Sequence, residues 1–182
     1  QFAKAPNPPK VTAVAGDGKV TLYWDRSAEN SKDKYMGNIT NNVDLYDFEG
    51  YKVYRATDFE FNDAYNITDG DGNPTFLEPY VQDGVRAQWD LVNGKSGWHP
   101  VDLNGIKYYL GNETGLVHSY VDNDVVNGQR YYYAVVSYDY GGDLTNNIIP
   151  SDSPMKLRVN PLTGAVSLCL LYTSDAADDS LR

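Results

Sequence analysis

The segment Val125-Val126-Asn127-Gly128-Gln129-Arg130-Tyr131-Tyr132-Tyr133-Ala134-Val135-Val136-Ser137-Tyr138 constrains this chain more than any other. A short turn feeds a run of aromatic and β-branched residues, the side chains that fit a pleated, buried surface and lose most rotamer freedom in a helix. Such a run needs a sheet beside it and a second layer above it, because a lone ribbon cannot bury it. The expected fold class is therefore all-β.

Other segments carry the same signature. Val11, Ala13 and Ala15 alternate before Gly16-Asp17-Gly18, and Val20, Leu22 and Trp24 share one face of the segment that follows, so residues 10–25 read as a hairpin. Phe48 to Ala56 reads as a strand with Tyr51 and Val53 on one face and Lys52 and Tyr54 on the other. Leu116 to Asp122 and Arg130 to Asp139 read as a second hairpin turning at Asn127-Gly128, and Met155, Leu157 and Val159 alternate as a last strand would. Pro6, Pro8 and Pro9 make residues 1–8 an extended linker, and the polar stretch Ser27 to Tyr46 has no sustained apolar period and reads as a long loop.

Residues 57–117 separate these strands. They hold ten acidic residues against Arg86, Lys95 and Lys107, with short strands expected at Thr75 to Tyr80, Ala87 to Leu91 and Ile106 to Leu110. Loops of this length usually carry internal structure. A folded, loop-rich insertion packed by Phe59, Phe61, Tyr65, Phe76, Trp89 and Trp98 is expected.

At 182 residues the chain suits one core module with sizeable insertions. Its net charge of −10 disfavours a phosphate backbone or an anionic lipid surface as partner. Cys169 is the only cysteine, which rules out an intrachain disulfide and a paired-cysteine metal site. No apolar run approaches the roughly 20 residues of a membrane-spanning helix, so no direct membrane insertion is expected. Gln1 in place of an initiator Met suggests a processed or excised piece of a longer polypeptide.

Taken together the strands resemble a fibronectin type III domain, an immunoglobulin-like β-sandwich. Pro9, Val11 and Val14 precede Leu22-Tyr23-Trp24, which is similar to the family's strand with its core tryptophan; Gly50-Tyr51-Lys52-Val53-Tyr54-Arg55 is similar to strand C; and Val125 through Tyr131 has the spacing of the turn before the family's corner tyrosine. The resemblance covers residues 8–56 and 117–159, within a domain spanning 9–159 into which residues 57–117 are inserted between strands C and E. It implies that Tyr131, Tyr133, Val135 and Ser137 face the core, that Tyr132 and Tyr138 face away, and that the Tyr131 hydroxyl ties the turn to backbone. Modules of bacterial surface and secreted proteins resemble this chain more closely than animal receptor repeats do. These imply a noncatalytic spacer or interaction module, placed outside the cell or on its surface, with neighbouring domains of the same polypeptide as partners. The inserted region replaces the family's usual adhesion surfaces, and no Arg-Gly-Asp tripeptide occurs.

Residues 160–182 read as an irregular tail. Cys169-Leu170-Leu171-Tyr172-Thr173-Ser174-Asp175-Ala176-Ala177-Asp178-Asp179 resembles translated sequencing-adapter read-through, which implies a non-native sequence after about residue 166.

Two groups of residues carry candidate chemistry. Asp69-Gly70-Asp71-Gly72-Asn73 has the alternating oxygen donors of the first half of a calcium loop, so Asp69, Asp71 and Asn73 are candidate Ca2+ ligands; Pro74 and Tyr80 stand where an EF-hand needs glycine and glutamate. The competing reading is a glycine-rich hairpin turn with solvated carboxylates. Trp89 and Trp98 are candidate carbohydrate contacts, and a dedicated glycan platform requires both rings exposed in one plane, whereas the insertion also needs aromatics for its own core. His99 and His118 are the only histidines, and no nucleophile or phosphate-loop motif occurs, so catalysis is not expected. An accessory domain of an extracellular hydrolase is the remaining alternative.

Overall fold

A computed structural model of the chain describes residues 3–64, 66–155, 157–159, 166–168 and 174–175. Tyr65, Cys169 and most of the adapter-like peptide lie outside them. Two antiparallel sheets dominate. Strand β1 (Val11–Gly16) and strand β2 (Lys19–Trp24) form the expected hairpin, with Val11 opposite Trp24 and Gly16 opposite Lys19. Val20, Leu22 and Trp24 are buried on one face, as their alternation requires.

Residues 27–46 depart from the loop reading. They contain helix α1 (Lys34–Ile39), capped by the Asp33 carboxylate, which accepts from the backbone N–H groups of Tyr35 and Met36 at 2.7 and 3.1 Å. Met36 is fully buried, so one apolar residue and one cap fix a turn and a half that no periodicity announces.

Strand β3 (Phe48–Ala56) is buried on both faces along almost its whole length. Gly50 is required in it: a Cβ there would sit 2.2 Å from the Trp89 carbonyl oxygen and 2.8 Å from the Tyr138 hydroxyl. The insertion then supplies β4 (Asn66–Thr68) and β5 (Pro74–Leu77), which pair with each other, the tiny ribbon β6 (Val81–Gln82) and β7 (Val85–Arg86), and β8 (Gln88–Asp90), which pairs with β3. A further hairpin joins β9 (Trp98–Leu103) to β10 (Ile106–Tyr109). The insertion thus extends the main sheet as well as forming ribbons of its own. Of its expected core aromatics Phe61 is buried, Phe59 and Trp98 are exposed, and Trp89 packs against the main core.

Strand β11 (Ser119–Asp122) pairs with β2, and β12 (Arg130–Asp139) pairs with β3. The hairpin expected between them is therefore absent: the connection through Asn127-Gly128 crosses from one sheet to the other. Its tip is tied to the β1–β2 turn, since Asn127 accepts from the Gly18 N–H at 2.8 Å and donates to Asp17 at 2.6 Å. The resulting strand orders are β1-β2-β11 in one sheet and β12-β3-β8 in the other, which has a fourth strand on the outer side of β12. The last described strands are β13 (Leu157–Val159), paired with β14 (Val166–Leu168), and β15 (Ser174–Asp175), beside Arg130 and Tyr131 of β12.

One core cluster draws on both sheets: Ala13, Val20, Leu22 and Trp24 from one, Tyr51, Val53, Tyr131, Tyr133 and Val135 from the other. Trp24 meets Tyr51 edge-on at 5.8 Å and lies against Trp89 at the same distance. On the opposite side of β3 and β12, Tyr54, Ala134 and Val136 pack with Phe61 and Ala64, and Tyr138 packs with Tyr108 and Leu110. The insertion and the segment after β12 thus cover the second face. Among the described residues no helix is long and apolar enough to cross a membrane.

Candidate functional site

Asp69, Asp71 and Asn73 lie in the connection between β4 and β5. Asp69 Oδ1 accepts from the backbone N–H groups of Asp71 and Asn73 at 3.0 and 2.9 Å, and the Asn73 side-chain amide donates to Asp69 Oδ2 at 3.1 Å. These bonds, the Asn73 amide foremost, hold the exposed Asp69 carboxyl below its ordinary pKa. Gly72 has φ +85°, which the turn needs. Two other carboxylates of the insertion are engaged elsewhere: Asp63 accepts from the Thr57 N–H and hydroxyl, and Glu78 pairs with Arg86 at 2.6 Å. Among the described residues no group of three or more His, Cys, Asp or Glu side chains is arranged to hold a metal ion.

Trp89 and Trp98 line different cavities. Trp89 is half-buried between Trp24 and Tyr120, and its free side borders a cavity of about 400 Å³ with Arg86, Gln88, Tyr109, Asn112 and Thr114. Trp98 is 59% exposed, stands edge-on to Tyr109 at 5.0 Å, and borders a second cavity of about 390 Å³ with Lys95, His99, Tyr140 and Asn146. Trp89 packs against the core, whereas Trp98 stands at the surface.

Both histidines are held in place. His99 is buried, with Nε2 2.8 Å from the Gly142 carbonyl and Nδ1 3.2 Å from backbone atoms of Val101. His118 Nε2 lies 2.6 Å from Glu29, which also accepts from the Tyr51 hydroxyl at 3.2 Å.

Two polar groupings escaped the sequence reading. Asp47, Glu49 and Asp139 are buried near one another at one end of β3 and β12, and burial pushes their carboxyls up to about 8, about 8 and about 7. Glu49 Oε1 has no hydrogen-bond partner among the described residues. The second grouping is centred on Lys52, only 4% exposed although it sits mid-strand. Its Nζ donates to the Tyr108 hydroxyl at 2.5 Å and lies 3.3 Å from Asp152 Oδ1. The rings of Tyr108 and Tyr138 face it with centroids at 3.8 and 4.8 Å. Asp152 also accepts from the hydroxyls of Tyr54 (2.6 Å) and Tyr108. Burial drives the Lys52 ammonium toward the neutral amine, against the pull of Asp152. The sixteen tyrosines of the chain were the only sequence sign that a polar strand residue would be roofed by phenols.

Comparison with family models, curated proteins and solved structures gave no match to this chain.

Proposed function

We propose that the chain is a noncatalytic module of the fibronectin type III kind within a larger secreted or cell-surface protein, where it spaces or contacts neighbouring domains. The division of strands carries the reading. Strands β1-β2-β11 face β12-β3-β8 across one aromatic core, and the Val126 N–H donates to the Tyr131 hydroxyl at 3.0 Å, the tie that the corner tyrosine of such a sandwich makes. The inserted residues 57–117 cap the outer face of the second sheet. Support for a structural role comes from the polar side chains that chemistry would need: His99, Asp122 and Asp90 are all committed to bonds that hold strands and loops. Equilibrium unfolding of the full chain, followed by tryptophan fluorescence and by far-ultraviolet circular dichroism, tests the reading. One coincident transition is expected of a self-sufficient module. Separate transitions, or no folded baseline, would overturn it.

A second reading, carbohydrate contact, rests on Trp98 alone. Its exposed ring overhangs the cavity that also presents Lys95 and Asn146, an apolar face beside polar groups. Affinity electrophoresis in neutral polysaccharide gels checks it: retardation lost in Trp98→Ala supports the contact, and equal mobility in all gels removes it.

A further inference from the structure

We propose that Lys52 and Asp152 join through an intramolecular amide bond, a side-chain crosslink that fastens β3 to the segment following β12. The two residues are separated by 100 positions in sequence and by 3.3 Å between Nζ and Oδ1. That distance is to the carboxylate oxygen that would leave, and it sets the amine beside the carboxyl group it would attack, so the pair has already given up much of the entropy that separates such groups in solution.

Three features make this pair more than an ordinary ion pair. The site is dry on the lysine side, with Lys52 roofed by Tyr108 and Tyr138. A charged ammonium in such surroundings loses its hydration, and the neutral amine escapes that cost. Burial favours the nucleophilic form of Lys52, and the charges beyond Asp152 that face it are Glu78, which opposes the shift, and Arg86, which assists it. Next, the hydroxyl chain is continuous: Lys52 donates to Tyr108 and Tyr108 donates to Asp152 Oδ1, giving the proton a path from nitrogen to oxygen. Last, Oδ2 accepts from the Tyr54 hydroxyl at 2.6 Å, where charge would develop as the carbonyl is attacked. Burial holds the Tyr54 and Tyr108 phenols well above their ordinary range, so both remain donors.

The step balances without a further reactant. One ammonium proton passes through Tyr108 to Oδ1. The amine lone pair then attacks Cγ, the N–C bond forms, and the C=O π electrons move onto Oδ2, held by Tyr54. Oδ1 takes a second proton from the attacking nitrogen and leaves as water, the C–O bond breaks, and the carbonyl re-forms. The sum is one ammonium and one carboxylate giving one amide and one water, with no change of oxidation state. Asp152 keeps 28% of its side chain exposed, which gives the water an exit.

Intact mass of the folded, then denatured, full chain decides the matter. The expected mass is the sequence mass less one water, and proteolysis is expected to yield a branched peptide linking residue 52 to residue 152. Lys52→Met and Asp152→Ala are each expected to return the full sequence mass, and the wild-type result stands by itself if either variant fails to fold. An unchanged mass after prolonged incubation of folded protein overturns the proposal. So does a water loss that maps to a single unbranched peptide, the mark of a cyclised aspartate.

Discussion

Asp122, fully buried at the end of β11, accepts from the hydroxyl of Tyr133 at 2.8 Å, so a carboxylate of one sheet is bonded to a phenol of the other. The same oxygen lies 3.0 Å from the Arg55 guanidinium, which stacks over the ring of Tyr80. Three segments meet at one buried charge. Removing the carboxylate leaves the Tyr133 hydroxyl without its acceptor and Arg55 with its bonds to Asp124 alone, and breaking a buried pair costs about 3–5 kcal/mol. Asp122→Ala is expected to lower stability by that order in urea melts, whereas Tyr133→Phe loses one hydrogen bond and about 1–2 kcal/mol. Equal, small effects would deny the tether.

Trp24 is the ring on which the core turns, packed by Tyr51 and Trp89 from the facing sheet. Trp24→Ala is expected to cost about 3–5 kcal/mol through lost burial and a residual cavity. Its Nε1 is buried with no acceptor among the described residues, and an unmatched donor itself costs about 1–3 kcal/mol. Trp24→Phe removes that donor together with part of the ring and is expected to retain much more stability than the alanine variant. Similar melting temperatures for the two variants would contradict this account.

The connection between β4 and β5 closes itself. Because both Asp69 oxygens already receive donors from Asn73, and Oδ1 one more from Asp71, a cation entering there must displace those bonds. Melting temperatures in millimolar calcium and in chelator are expected to coincide. A rise in calcium, abolished by Asp69→Asn, would mean that the turn reopens into a metal loop with Asp69, Asp71 and Asn73 as ligands.

What the sequence disclosed and what it hid follow one physical division. Period-two alternation is a local signal, and it located β1, β2, β3 and β12 closely. Pairing is not local. The short separation of Asp122 from Arg130 suggests a hairpin, yet β11 pairs across to β2 because its own inward residues complete the first sheet. The burial of Lys52 and Tyr54 depends on residues 57–117 and 138–155 folding over them, which no window around position 52 contains. The same holds for α1, whose one fully buried apolar side chain, Met36, stands in a polar stretch. Among the candidate sites, sequence identified Trp98 as an available ring. It could not separate Trp98 from Trp89, because which of two tryptophans reaches the core depends on β8 joining β3.

Stability should fall as the solution becomes alkaline. Burial, reinforced by the charges of Asp139, Asp33 and Asp44, raises Asp47 to about 8. Burial raises Glu49 to about 8 despite the Asn93 hydrogen bond and the nearby Lys95, and raises Asp139 to about 7 despite bonds from Ser151 and Gly141. Unfolded, these groups titrate near 3.8 and 4.5. Through that interval the folded chain holds protons that the unfolded chain has released, so the slope of stability against pH is negative, and it flattens above about pH 8. Asp63 and Asp143, held below 3.8 by hydrogen bonds, act in the opposite sense at lower pH but are exposed and contribute little, and burial of Lys52 and Lys95, which drives both toward the neutral amine, opposes the fall on the alkaline side. Melting temperature is therefore expected to be higher at about pH 5 than at about pH 9. Asp47→Asn and Glu49→Gln should each reduce the difference, since neither side chain can ionise. A melting temperature that is flat or rises across this range in the parent chain would mean that these carboxyls are hydrated, and that the end of β3 and β12 is open to water.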